Sequence, residues 1–226
     1  MAVYAYLFEA RGIQRFLFST GKLKDMIQGS ELIDYICADA GYVDQVLQSL
    51  GLKVKAPRKA GGAFYLIFDK QEDAERFQSV WRIVGKQWFP SVECVDVLSS
   101  ANSIKAAIGL GLQQLAEARN QIQIELPNAS PITERSPRTG MAAIMREFST
   151  SGRQESIDLA TASIRKFNRS DDSSSLADRF LTSKEIYWPN NFEVNAREDK
   201  KFPLGKRSLV GLVHADGNGL GEILRL

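Results

Sequence analysis

The sequence predicts an α+β fold in which one antiparallel sheet of four strands lies under two layers of helix. Residues 3–8 and 64–68 are apolar throughout, which is typical of buried central strands. A glycine pair joins the second of these to the loosely alternating segment 53–59, as in a hairpin. Segments whose apolar residues recur at helical spacing lie before this hairpin and between it and a fourth strand at 92–98. The resulting βαββαβ order is that of a ferredoxin-like domain.

Two helices are predicted between the first strand and the hairpin. The first begins at Ile13, and the polar segment 19–29 interrupts the pattern. The second is capped by Ser30 and stopped by Gly51.

Two longer helices follow the hairpin. One is opened by a capping box of Asp69 and Glu72 and ends at Pro90, and Ser103 caps the other. Their apolar positions recur at spacings of three and four. These positions are Ala74, Phe77, Trp81, Val84 and Trp88 in the first helix, and Ile104, Ala107, Ile108, Gly111, Leu112, Leu115 and Ile122 in the second.

Beyond these helices the pattern weakens. Residues 127–140 are predicted to form a loop, and 141–148 and 154–167 short helices. Residues 189–207 are typical of a linker, and 208–213 of a further strand. We therefore expect a ferredoxin-like first domain at 1–118, a helical connector and linker at 119–207, and the start of a second domain at 208–226.

Composition favours a cytoplasmic protein that does not enter a membrane. The 226 residues carry a net charge of +2, which gives no general argument for nucleic-acid or membrane binding. No run approaches the roughly 18 apolar residues of a membrane span, and the N-terminus lacks the features of a signal peptide. Cys37 and Cys94 lie in apolar segments, so we expect two reduced core thiols rather than a disulfide or a zinc site.

The most chemically suggestive segment is 212–224. Here a carboxylate at a strand end precedes glycines and a helix start, an arrangement that suits Mg²⁺ and phosphate. Asp216 would bind the metal, and Gly217, Asn218 and Gly219 would contact the nucleotide. The alternative is an ordinary strand-to-helix turn in which Asp216 or Asn218 serves as a cap.

Two further segments have both a functional and a structural interpretation. Gly61 and Gly62 could let a nucleotide approach the backbone, or could simply form the hairpin turn. A basic set near the first helices could contact phosphate or RNA, or could be a solvated face. Its members are Arg11, Arg15, Lys22 and Lys24. The single histidine, His214, has no nucleophile pattern beside it.

Taken in order, these motifs resemble the large subunit of type III CRISPR effector complexes, the GGDEF-like double-palm CRISPR polymerase family. The matching segments include one near each end of the chain. The matching segments are 13–24 (IQRFLFSTGKLK) with 29–33, 60–67 (AGGAFYLI), 135–140 (RSPRTG) and 213–221 (VHADGNGLG).

The resemblance implies two stacked palms with ATP bound between them. In such proteins the second palm joins ATP into cyclic oligoadenylates, which act as antiviral messengers, using Mg²⁺ or Mn²⁺ on an acidic hairpin. CRISPR effector subunits and guide or target RNA would then be partners.

The first palm departs from the pattern that catalysis needs. Its two acidic hairpin positions are Ala63 and Phe64, and the carboxylate expected after the first strand is at best Glu9. Two-metal chemistry needs clustered carboxylates, so this palm should be non-catalytic and hold a nucleotide or play a structural role. Ser136 stands where the family has a cysteine, which argues against its zinc site.

The second palm would be incomplete, because the sequence ends at Leu226 before a GGD hairpin. We therefore expect the 226 residues alone to synthesise nothing, whether they are a fragment or a short relative. Two alternatives are a non-catalytic ferredoxin-like module that binds RNA or protein partners and, with less support, a homodimeric cyclase.

Overall fold

Four strands form one antiparallel sheet in the order β2-β3-β1-β4. They are β1 (Val3–Arg11), β2 (Lys55–Ala60), β3 (Ala63–Phe68) and β4 (Glu93–Ala101). This computed structural model describes residues 2–121, 130–148 and 152–167, which belong to one compact unit. The strand order confirms the ferredoxin-like prediction, with the two most apolar strands, β1 and β3, at the centre.

Helices connect the strands in the predicted βαββαβ order. Between β1 and β2 lie α1 (Ile13–Phe18), α2 (Leu23–Cys37) and α3 (Tyr42–Ser49). Helix α4 (Gln71–Trp88) joins β3 to β4, and α5 (Ile104–Arg119) follows β4. The Ser103 side chain accepts a hydrogen bond from the Ala106 amide at 3.3 Å, which confirms the predicted cap of α5.

Each face of the sheet has its own apolar cluster. Helices α2, α3 and α4 contribute to a large aromatic-rich cluster on one face. A smaller cluster on the other face includes Ala107 and Leu115 of α5 packed with Leu7 of β1. Strand β3 is buried along its whole length because it contributes to both clusters.

The prediction for residues 19–51 was wrong in its boundaries. Helix α2 begins at Leu23, so Ser30 lies inside it and caps nothing. Gly29 packs closely against Leu17 of α1, since a Cβ there would lie 3.0 Å from the Leu17 Cδ2. The helix ends early because the chain turns at Gly41, where a Cβ would overlap the Tyr35 carbonyl oxygen.

The predicted capping box at the start of α4 was also wrong. Lys70 is the N-cap residue, and no side chain caps the helix there. The helix therefore starts one residue later than the box requires, which leaves Asp69 outside it.

After α5, the structure has a strand where the helix at 141–148 was predicted, and the predicted helix at 154–167 is a strand followed by a helix. Strand β5 (Ala143–Phe148) pairs antiparallel with β6 (Gln154–Asp158), and helix α6 (Leu159–Lys166) follows directly. Burial along β5 alternates with period two, so Ile144 and Phe148 face outward. Residues 130–142 form turns with an isolated bridge between Arg135 and Ala142, as the loop prediction requires.

Cys37 and Cys94 are free thiols, and burial raises their pKa values to about 11 and about 12. Among the helices that the structure describes, none combines the length and the apolar character needed to cross a bilayer.

Candidate functional site

The tip of the β2–β3 hairpin is a turn of two left-handed glycines. Gly61 and Gly62 have φ values of 62° and 74°. A Cβ on Gly62 would lie 3.1 Å from Ile33 Cγ2 and 3.2 Å from Ala10 Cβ, whereas one on Gly61 would have nothing within 4 Å. Close packing therefore requires a glycine at position 62, whereas the space beside Gly61, on the exposed side of the tip, is open.

The tip is tied to the centre of the sheet. The Ala10 amide donates a hydrogen bond to the Gly62 carbonyl at 2.9 Å, and Glu9 lies directly opposite Ala63. The Cys37 thiol of α2 donates to the Ala63 carbonyl at 3.4 Å. These contacts hold the tip in place against β1 and α2.

Ala63 and Phe64, the positions predicted to correspond to the acids of an active palm, are built into the core. Ala63 is buried, and Phe64 is fully buried. The Phe64 ring stacks on Phe8 with centroids 4.9 Å apart and meets Trp81 edge-on at 5.0 Å. An ionised carboxylate at position 64 would lose its hydration among these rings without gaining a partner.

The remaining acid at the tip already has a cation. Arg119, the last residue of α5, donates from Nε and Nη2 to the Glu9 carboxylate, and the Nε distance is 3.1 Å. The Glu9 side chain is 13% exposed and that of Arg119 is 43% exposed. The carboxylate that a metal ion would need is thus mostly buried and neutralised from within the chain.

The residues at this tip do not fit a metal ion. Two-metal catalysis requires several carboxylates around the ions. Within the described residues, no three His, Cys, Asp or Glu side chains come together in a way that could hold a metal. We therefore derive no metal-dependent step in the first palm.

The structure divides the predicted basic set between two places. Arg15 forms an ion pair with Glu93, which lies across from Arg11 in the β1–β4 register. Lys22 instead reaches the β5–β6 hairpin, where its Nζ lies 2.6 Å from Glu155 Oε2. The exposed Lys24 lies in the first turn of α2. Arg15 and Lys22 are therefore directed at different elements, β4 and the β5–β6 hairpin.

The contact between α2 and the segment from β5 to α6 was not predicted. Arg165 of α6 binds the buried Asp25 of α2 through two hydrogen bonds of 2.9 Å. Lys22 and Arg138 both bind Glu155. Burial raises the pKa of Glu155, but these two hydrogen bonds outweigh it and bring the pKa down to about 2. Local sequence patterns do not indicate these ion pairs, because the partners are far apart in the chain.

The loop around Ser136 belongs to the same contact. The Ser136 amide donates to the Met141 carbonyl at 2.8 Å, and the Gly140 amide donates to the Ser136 carbonyl at 2.9 Å. The Arg138 guanidinium also donates to the Thr20 carbonyl at 3.2 Å. Ser136 is buried within this turn.

The predicted second-palm residues lie outside the described residues. They are Asp216, Gly217, Asn218, Gly219 and His214. Their roles stay predictions.

The chain is similar in structure to Csm1. A chain of Csm1 from T. onnurineus aligns with a TM-score of 0.39 and 17% identity, over 62% of this chain and 24% of that one. A chain of the Csm1–Csm4 subcomplex in the type III-A CRISPR-Csm interference complex gives 0.39 and 20%, over 52% and 18%. One from a Csm1–Csm4 cassette in complex with cA3 gives 0.38 and 20%, again over 52% and 18%.

The present chain thus spans about a fifth of the length of these structures. The TM-scores lie below 0.5, so the strand order and the hairpin, rather than these alignments, establish the fold. No family model and no curated protein matches the sequence.

Proposed function

We propose that this chain is the N-terminal part of a CRISPR-polymerase-like protein of antiviral defence, and that its first palm holds ATP without catalysing a reaction. The supporting observation is the hairpin tip. It keeps the paired glycines of a nucleotide-binding turn, with the Gly61 side open, but carries Ala63 and Phe64 where catalytic acids would stand.

In this proposal the first palm contributes binding and orientation. The second palm would supply the metal site through Asp216, and CRISPR effector subunits and guide or target RNA would be the partners. Mg²⁺ or Mn²⁺ would be required only by a complete second palm.

ATP binding at the tip can be tested with Gly61→Asn. Asn tolerates the left-handed conformation, so the turn persists while the new side chain fills the open side. We expect the affinity for ATP, measured by calorimetry, to fall about tenfold, because the Asn side chain occupies the space that the nucleotide would use. Gly51→Asn is the matched control because Gly51 has φ 67° and equally open surroundings. Equal affinities in the two variants would contradict the site.

Catalysis can be tested on the same chain. With ATP and Mn²⁺, the 226 residues should give no oligoadenylate, assayed by chromatography. Product that persists through repeated purification and in the Asp216→Ala variant would overturn the non-catalytic assignment.

The alternative, a module that binds RNA through the basic set, has less support. Arg15 is paired with Glu93 of β4 and Lys22 with Glu155 of β6, so the two cations are directed at different elements rather than at one phosphate chain. Affinity for RNA that falls steeply with salt and with loss of Arg11 and Lys24, in a chain that binds no ATP, would favour this alternative.

A further inference from the structure

An arginine lies where an active palm needs a cation. The Arg119 guanidinium binds the Glu9 carboxylate at the end of β1, and Glu9 is the residue directly opposite Ala63. In an active palm, carboxylates at these positions hold divalent ions, and those ions neutralise the phosphates. Here a side chain of the protein supplies the positive charge.

The arrangement leaves charge available for a phosphate group. Arg119 donates to a single Glu9 oxygen through Nε and Nη2, so Nη1 is not used in that contact. The guanidinium carries five donors in a planar fork, which suits phosphate oxygens. Its side chain is also 43% exposed, so an anion can reach it.

A second guanidinium lies on the same face of the sheet. Side chains alternate along a strand, so Arg11 lies on the Glu9 face of β1. Arg11 follows Ala10, whose amide donates a hydrogen bond to the Gly62 carbonyl, so the Arg11 backbone lies beside the glycine turn. Glu93 of β4 lies opposite Arg11 and is paired with Arg15. The three arginines still outnumber the carboxylates of Glu9 and Glu93, and this net positive charge favours an anion at the tip.

We propose that Arg119, assisted by Arg11, replaces the divalent metal of an active palm, so that the first palm binds the phosphates of a nucleotide without Mg²⁺ or Mn²⁺. This inference rests on the proposed nucleotide-binding function. It adds which residues hold the phosphates and that no metal is needed.

The first experiment measures ATP binding to the full chain by calorimetry, in excess EDTA and in Mg²⁺. The two affinities should agree within about twofold, because the cation is covalently part of the protein. Binding that requires Mg²⁺ would overturn this inference while leaving the proposed function intact. The absence of ATP binding under both conditions would overturn both.

Variants then test the two charges separately. Arg119→Gln should weaken ATP binding in EDTA about tenfold, the effect of losing a charge-assisted contact. Glu9→Gln should strengthen it, because it removes the carboxylate that competes for the guanidinium. A purely structural ion pair would not produce this gain, so equal or weaker binding by Glu9→Gln would contradict the proposal.

Arg82→Gln is the matched control. Arg82 pairs with Asp96 near the opposite face of the sheet, and the two side chains are 58% and 17% exposed, close to the values for Arg119 and Glu9. Its loss should leave ATP affinity unchanged. Thermal melts of all variants confirm that each is folded, and inorganic tripolyphosphate should compete with ATP in the wild-type chain but bind Arg119→Gln about tenfold less tightly.

Discussion

The two hairpins of this molecule are stabilised by different interactions. In the β2–β3 hairpin, β3 is buried on both faces among aromatic and aliphatic side chains. In the β5–β6 hairpin, Ile144 and Phe148 face outward, while Glu147 and Glu155 bind basic side chains of α1–α2, α6 and the preceding loop. The first therefore depends mainly on apolar burial, whereas the second combines the buried side chain of Ile157 with several ion pairs.

The largest effect should come from the apolar hairpin. Phe64→Ala removes a fully buried ring and should lower the free energy of unfolding by about 3–5 kcal/mol. Phe148→Ala is the control: its side chain is 75% exposed, so the change should stay within about 0.5 kcal/mol. Urea unfolding measures both, and comparable losses would remove the distinction between the hairpins.

The next largest effect should come from the pair that holds α6 against α2. Arg165→Ala leaves the Asp25 carboxylate buried without its bidentate partner and should cost about 3 kcal/mol. Hydrogen exchange should then rise first in β5, β6 and α6. The double variant Asp25→Asn with Arg165→Leu should recover part of this loss, and no recovery would indicate that packing rather than charge joins these elements.

The pH dependence should reveal the second ion cluster. The pKa of Glu155 is lowered to about 2, so its stabilising contribution is complete above its ordinary pKa and is lost as the pH falls toward 2. We expect the free energy of unfolding of the wild-type chain, measured in urea, to fall more between about pH 5 and pH 3 than that of the Glu155→Gln variant. An identical decrease in both would contradict the assignment. Glu75→Gln, on the exposed face of α4, should behave like the wild type.

The smallest effect separates the two glycines of the turn. Gly61→Ala and Gly62→Ala both place a side chain at positive φ, which costs about 1 kcal/mol. Gly62→Ala should cost more, since its Cβ would press on Ile33 and Ala10. Thermal melting measures the difference, and equal midpoints would show that the neighbours move aside without cost.

The first hairpin could be predicted from sequence, and the second could not. Residues 64–68 are apolar at every position, a pattern that only a strand buried on both faces explains well. Residues 141–148 are a short mixed segment, for which apolar spacing does not separate helix from strand. Pairing with β6 decided that conformation, and pairing depends on residues outside the local window.

The candidate site divides in the same way. The glycine turn and the missing acids at Ala63 and Phe64 are visible in the sequence, because both are local. The cation at the tip could not be predicted from the sequence, because Arg119 and Glu9 are 110 positions apart in the chain. Lys22, predicted as a phosphate contact, was likewise placed against Glu155 by a contact spanning 133 positions.

By itself the sequence determined the order of the elements in the sheet domain, its central strands, and the apolar residues Ala63 and Phe64 beside the glycine turn of its first hairpin. Each of these follows from local residue type and periodicity. The tertiary structure alone decided where α2 begins and ends, that β5 and β6 are strands, and which cation neutralises Glu9. Those outcomes depend on contacts between distant residues, whose energies appear only after the sheet has brought them together.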